Sequence, residues 1–373
     1  MSYNINGEYY REYYASSDMF KPISNLLSVG NNSHGRLGLG DQTHRSVPNY
    51  VGGLGDWAEI SSTYFHSMSV KTDGTLWAWG SNSSGQLGLS DTTNRSSPVQ
   101  VGALTDWSKI SCGNVHTMTA KTDGTLWAWG NNGYGQLGLS NTTNRSSPVQ
   151  VGTLTDWSKV SCGGTHTMAV KTDGTLWAWG WSGVGQLGVG VSGSTIYSPI
   201  QVGALTNWTT VSCGENHTMA VKTDGTLWAW GLNSSGQLGL SNTTNRSSPA
   251  QVGTLADWST ISAGGSHTMA IKADGTLWGW GYNNSGQLGN NSNTSVFSPI
   301  QVGALTNWHK VSLGYSHTIA IKTDGTLWAW GYNGYGQLGT SNTVLRSSPV
   351  QIGTSTNWRQ AIASYDYNLL LTF

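Results

Sequence analysis

Phenylalanine is almost missing from this chain: 4 residues in 373, against 20 tryptophans. Charge is thin as well. Lys and Arg together number 18, as do Asp and Glu, so the net charge is zero and only 10% of residues are charged. No basic surface of the kind that holds nucleic acid or anionic membrane by counter-ion release is expected from such a balance. Glutamate occurs only as Glu8, Glu12, Glu59 and Glu215, so paired-carboxylate chemistry would have to draw on the aspartates of turns. The cysteines are three, Cys112, Cys162 and Cys213; an odd number at equivalent positions is not a disulfide framework. No run of 18 apolar residues offers a membrane span. The first residues, MSYNINGEYYREYYASSDMF, lack the basic start and apolar core of a secretory signal. No segment carries a helical period.

What the chain has instead is repetition. Pro48, Pro98, Pro148, Pro199, Pro249, Pro299 and Pro349 follow one another at steps of 50 or 51 residues, and so do Trp57, Trp107, Trp157, Trp208, Trp258, Trp308 and Trp358. Periods of 20 to about 50 residues mark solenoids and propellers. Each unit reads as four short strands, exemplified by WSKVSCG (Trp157–Gly163), HTMAVK (His166–Lys171), TLWAWG (Thr175–Gly180) and SPVQVG (Ser147–Gly152). Asp-Gly joins the second and third, a tight-hairpin signal, and the proline is placed at the start of the fourth, where no ladder donor is lost. Four short antiparallel strands per unit describe a propeller blade. The seventh copy is split: residues 26–51 supply a third and a fourth strand, with Leu27 and Val29 in place of tryptophans, and residues 358–373 supply a first and a second. Pairing them closes a seven-bladed, all-β propeller and removes its free edges. Residues 23–373 are expected to form that single propeller and residues 1–22 a tyrosine-rich extension. Tyr9, Tyr10, Tyr13, Tyr14 and Phe20 of the extension are candidates for docking it onto a larger assembly.

Nineteen of the tryptophans belong to the repeat, seven opening first strands and six pairs in third strands. With so few Phe, Ile and Leu, they are expected to be core, each contributing at most roughly 4–6 kcal/mol of burial. His66, His116, His166, His217, His267 and His317 recur once per unit, with Tyr367 in the seventh place. Histidines so dispersed around a ring make neither a metal site nor a nucleophile–base pair; they are expected to hydrogen-bond the turn before the second strand. Gly133–Gly138 and its copies match G-x-G-x-x-G, but no helix follows to receive a pyrophosphate, so no dinucleotide is implied. Neither cofactor nor metal is expected, and no catalytic residue stands out.

The words VSCGGTHTMAVKTDGTLWAWGWSGVGQLG and their copies, from about residue 25 to 373, make the chain resemble the regulator-of-chromosome-condensation repeat family. The resemblance implies a seven-bladed propeller. The founding member exchanges guanine nucleotide on a small nuclear GTPase and binds chromatin, using a wedge inserted from one blade and a basic tail. Here no unit deviates by more than one residue, and the extension carries three acids, Glu8, Glu12 and Asp18, against two bases, Arg11 and Lys21.

Variation between copies falls on one face. Turns between second and third strands read TDG, once ADG, and those leading into first strands scarcely change. The turns between first and second strands differ in most units: Tyr64-Phe65, Asn114-Val115, Gly164-Thr165, Glu215-Asn216, Gly265-Ser266, Tyr315-Ser316, Tyr365-Asp366. So do the loops between third and fourth strands, and both lie on the same side of the ring. Partner contacts are therefore expected at Tyr64, Phe65, Tyr134, Trp181, Tyr197, Glu215, Tyr282, Phe297, Tyr315, Tyr332 and Tyr335, as aromatic anchors of a non-enzymatic binding surface. A surface rich in Asn, Ser, Thr and Gly and poor in Lys and Glu suits a component of a larger assembly such as a virion or cell surface, with protein partners. The other readings are a soluble, cytoplasmic protein-binding regulator, whether inhibitor or exchange factor, and a glycan-binding propeller. Nucleic acid and membrane insertion are not expected.

Overall fold

The computed structural model describes Asn4–Ile5, Glu8–Tyr9, residues 24–53 and residues 55–373. Of the docking residues expected in the extension, Tyr10, Tyr13, Tyr14 and Phe20 lie outside the described residues, and for Tyr9 only the backbone is described, in a two-residue strand paired with Asn4–Ile5.

Seven four-stranded antiparallel sheets stand in a ring. Six are continuous in sequence, spanning Trp57–Gln100, Trp107–Gln150, Trp157–Gln201, Trp208–Gln251, Trp258–Gln301 and Trp308–Gln351; these are blades one to six. The seventh is the split one. Trp358–Ala363 pairs with Tyr367–Thr372, which pairs with Leu26–Gly30, which pairs with Arg45–Tyr50. Leu26 lies opposite Leu371 and Gly30 opposite Tyr367, so the two ends of the propeller close the ring in the register expected from the repeat.

Each blade's first strand is innermost. In blades one to six its tryptophan meets both tryptophans of the third strand edge-on, as Trp57 meets Trp77 at 6.1 Å and Trp79 at 6.2 Å. The second member of each pair is wholly buried and donates its indole N–H to the preceding blade, as Trp129 Nε1 does to Gln86 O at 2.9 Å. The first member is half-buried, donates to a threonine hydroxyl two residues before it, and lies under a lysine ammonium, as Trp127 lies 4.5 Å below Lys121 Nζ. Tryptophan thus serves three packing roles within each of these six blades, and large rings fill the space between sheets that Phe would fill elsewhere.

The hairpin between second and third strands is a three-residue loop. Gly174 has φ +78°, and a Cβ there would stand 2.2 Å from Thr206 O of the next unit's approach. Only glycine meets both demands. Asp173 Oδ1 accepts from the Thr175 N–H and hydroxyl, which closes the turn. The fourth strand begins earlier than expected, at Arg145 rather than Ser147 in blade two. Pro148 therefore lies within it, at a bulge between the Gly130–Arg145 and Ala128–Val149 pairs; an outermost, bulged strand tolerates a residue with no N–H to give.

The histidines correct the expectation for them. The turn before the second strand is closed by backbone, Gly113 N to His116 O at 2.8 Å, and not by the imidazole. Each imidazole reaches the next blade instead: His66 Nε2 lies 2.8 Å from Thr117 Oγ1, His166 Nε2 3.1 Å from Thr218 Oγ1, and His317 Nε2 2.7 Å from Asn368 Oδ1. The threonine hydroxyl already donates to a backbone carbonyl, Thr117 Oγ1 to Gln86 O at 2.9 Å. Nε2 must then carry the proton, and Nδ1 is bare with no partner among the described residues. Except at His66, where Thr63 takes the position, the ring lies against a glycine: a Cβ on Gly113 would stand 2.3 Å from His116 Nδ1. At the closing seam Tyr367 takes the histidine's place and donates its hydroxyl to His66 O at 2.8 Å. The physical reason is geometric, since an inter-blade latch is made to residues one period away and is invisible within a unit.

Candidate functional site

The turns between first and second strands and the loops between third and fourth strands do share one face, with the turns around the axis and the loops outside them. At the axis, residues from all seven blades surround a narrow mouth of about 70 Å³. Tyr64, Tyr315 and Tyr365 crowd it: the rings of Tyr64 and Tyr365 are 3.8 Å apart, and those of Tyr315 and Tyr365 4.6 Å. Glu215 closes the opposite side and accepts from Asn114 Nδ2 at 2.9 Å. Burial holds the Glu215 carboxyl above the usual carboxylate range, with the Asn114 bond opposing. Burial and the nearby Glu215 push the Tyr64 phenol up as well.

A wider groove of about 530 Å³ continues from the mouth across blades five and six to the closing blade. Tyr282, Tyr332 and Tyr335 come to it from loops, Tyr315 and Tyr365 from turns, and Asp366 is its only charged residue. Asp366 is buried and receives a long bond from Gln337 Nε2, 3.3 Å. Burial pushes its carboxyl up to about 6, and the charge of Arg36 only partly opposes this. Arg36, also buried, donates to Tyr64 O at 2.7 Å and stands 5.8 Å over Phe65 and 5.7 Å over Tyr367. Neither mouth nor groove is lined by a lysine or arginine.

Of the residues expected at a binding surface, the structure brings together Tyr64, Glu215 and Tyr315 at the mouth and Tyr282, Tyr315, Tyr332 and Tyr335 in the groove. Phe65 packs beside Tyr64. Tyr134 and Trp181 form a separate pair 6.0 Å apart between blades two and three. Tyr197 and Phe297 stand on outer strands, lying against Gly135 and Gly236 of the preceding blade's loop, and both remain exposed. Three contributors were not picked out as site residues: Arg36, Tyr365 and Asp366. Their signal was departure from the copies, Arg36 standing where other units have Gln86 or Gln136, and Asp366 beside the one tyrosine in the histidine column. The opposite face has its own regularity, exposed Leu104, Leu154, Leu205, Leu255 and Leu305 at equivalent turns.

Among the described residues no group of three or more His, Cys, Asp or Glu could hold a metal ion, and no helix is long and apolar enough to cross a membrane.

The family model described as the regulator of chromosome condensation (RCC1) repeat matches seven successive segments, 25–70, 73–120, 123–170, 173–221, 224–271, 274–321 and 324–371. A second model of the same repeat matches six shorter ones, from 57–86 to 308–337. Among solved structures, human WBSCR16 superposes with a TM-score of 0.84 at 21% identity, covering 94% of this chain and 99% of that one. Prp20p from Saccharomyces cerevisiae, described with its binding properties to Gsp1p and histones, gives 0.83 at 19%, covering 95% and 92%. Yeast RCC1 (Prp20) in its complex with Kap60 gives 0.83 at 18%, covering 97% and 96%. At such identities the likeness is one of fold.

Proposed function

Because the chain belongs to the regulator of chromosome condensation (RCC1) repeat family, we propose that it is a non-catalytic, protein-binding regulator that engages its partner on the face carrying the mouth and the tyrosine groove. One observation carries this reading: large aromatic side chains are left accessible on that face in a groove of about 530 Å³, while the repeat tryptophans are consumed by packing. Tyr315, Tyr332 and Tyr335 are each more than a third exposed, which a core role does not require. Structural neighbours with protein partners in their descriptions, Gsp1p and histones for one and Kap60 for another, favour a regulator over the assembly or virion component that composition suggested. That role finds no support in the family match or the neighbours. A glycan reading needs equivalent Trp-lined sites between blades, and the repeat indoles have their rings against one another and their lysines. Guanine-nucleotide exchange is the narrower form of the regulator reading; the lengths of the seven units, equal to within one residue, leave no insertion to act as a wedge.

The test is affinity capture from source material with the intact chain beside a triple variant, Trp181→Ala, Tyr282→Ala and Tyr332→Ala. The variant is expected to keep the wild-type melting temperature to within a few degrees and to lose a defined protein partner, since central aromatic anchors are worth about 2 kcal/mol or more each. Equal capture by both proteins would move the site off this face.

A further inference from the structure

The groove is chemically lopsided. Five tyrosine rings, Tyr282, Tyr315, Tyr332, Tyr335 and Tyr365, surround one carboxylate, Asp366, and no cation lines it. Aromatic faces carry negative quadrupole potential and attract cations, most strongly where water is excluded. A carboxylate buried without a salt-bridge partner gains from one in the same way. None of the salt bridges among the described residues involves Asp366, and the opposite charge that acts on it, Arg36, spends its own hydrogen bonds on Ser33 O and Tyr64 O. The carboxyl pushed up to about 6 is the mark of that unmet need.

We propose that this groove seats an arginine side chain of a protein partner, the guanidinium stacked among the tyrosine rings and paired with the Asp366 carboxylate. The inference rests on the protein-binding reading above and names the chemistry its partner presents. Arginine is favoured over lysine because a planar, weakly hydrated guanidinium stacks on rings and forks onto a carboxylate together, whereas an ammonium must shed a tight hydration shell. The fold holds one guanidinium by the same means close by: Arg36 lies over Phe65 and Tyr367 with its N–H groups on carbonyl oxygens. The serines that complete the lining, Ser266 and Ser316 among them, are small and neutral and leave the rings reachable.

Fluorescence anisotropy of a labelled Gly/Ser peptide with one central arginine, titrated with the full chain, tests this. Lysine and citrulline versions of the same peptide separate charge from shape. The arginine peptide is expected to saturate in the millimolar range or tighter, lysine to bind more weakly, and citrulline, neutral but isosteric, to be weaker by about tenfold or more. Asp366→Asn should lower arginine affinity by at least about tenfold, and Tyr332→Ala, at an exposed position whose loss leaves folding alone, should lower it as well. Leu154→Ala on the opposite face should change nothing. Citrulline binding as well as arginine, indifference to both groove variants, or no saturable binding by the wild-type chain would each overturn the proposal. A partner captured by the wild-type chain, lost by the triple variant but kept by Asp366→Asn, would leave the face as the working surface and remove only the arginine seat. Absence of any captured partner would instead defeat the protein-binding reading itself.

Discussion

Acidification from pH 7 to 4.5 is expected to unfold the propeller in one steep transition, read by far-UV circular dichroism and tryptophan emission at fixed temperature. The six latch histidines cause it. All are wholly buried, and burial pulls His66, His116, His166, His217 and His267 from their ordinary 6.5 to about 3 and His317 to about 4. Their folded form is neutral, with Nε2–H donated to the next blade and Nδ1 without a partner among the described residues, facing a glycine in all but His66. Below 6.5 the unfolded chain takes up protons that the folded chain refuses. The unfolded state then binds more protons, so stability falls as pH falls, throughout the window from 6.5 down to about 3. Each histidine contributes up to about 1.4 kcal/mol per pH unit, and six together about 8, against a total stability on the order of 5–15 kcal/mol for an ordinary domain. One to two pH units should suffice.

Other titrating groups set the margins. Asp366 acts in the opposite sense. Its folded pKa is raised, so its contribution is fully present below 3.8 and lost as pH rises through about 6; on acidification it adds stability, but as one group against six. The turn aspartates, such as Asp123 and Asp173, are held below the usual range by threonine hydroxyl and backbone bonds, so they lose stability only below 3.8, after the histidines have acted. Replacing His166 with Gln, whose amide can still donate to Thr218, should shallow the stability-versus-pH slope by about one proton. A chain still native at pH 4.5, or a slope unmoved by that substitution, would falsify the latch account.

The prolines and tryptophans one period apart were enough to find the blades, and Leu27, Val29 and the truncated last unit were enough to find the seam, because strand pattern and closure are properties of single units and of their count. The latches were not legible. His166 and Thr218 stand 52 positions apart, and nothing within a unit tells a ring nitrogen whether to turn back to its own loop or across to the next blade. The candidate face was legible in outline, since strand parity alone places the varying turns and loops on one side of the ring. Its composition was missed where departures from the repeat were read one at a time. Arg36 stands 330 positions from Asp366 and 331 from Tyr367, and only closure of the ring makes them neighbours.

Removal of residues 367–373 is expected to abolish cooperative folding, although it deletes a single strand. In the closing blade Tyr367–Thr372 is a middle strand, with Trp358–Ala363 on one side and Leu26–Gly30 on the other. Without it Trp358–Ala363 loses its ladder, Leu26–Gly30 keeps only its pairing with Arg45–Tyr50, and the N-terminal and C-terminal strands no longer form one sheet. Leu369, Leu370, Leu371 and Tyr367 are wholly buried, and large-to-small changes at such positions cost about 2–5 kcal/mol each; deleting all of them exceeds the stability on the order of 5–15 kcal/mol that a domain has. The remaining open arc would expose strand edges and aggregate. The complementary experiment separates the strand from its position in the chain. Thr372 N donates to Asn25 O, so the propeller's two ends meet where every other blade has its Asp-Gly hairpin. A permutant joining Phe373 to Asn25 through Asp-Gly, with new termini opened in the exposed turn at Ala103–Leu104, restores the seventh hairpin. It should fold with a midpoint in denaturant at or above that of the parent, because the seam then cannot part without breaking a covalent turn. A permutant that folds less well than the parent would mean that the seam is held by something other than the strand register seen here.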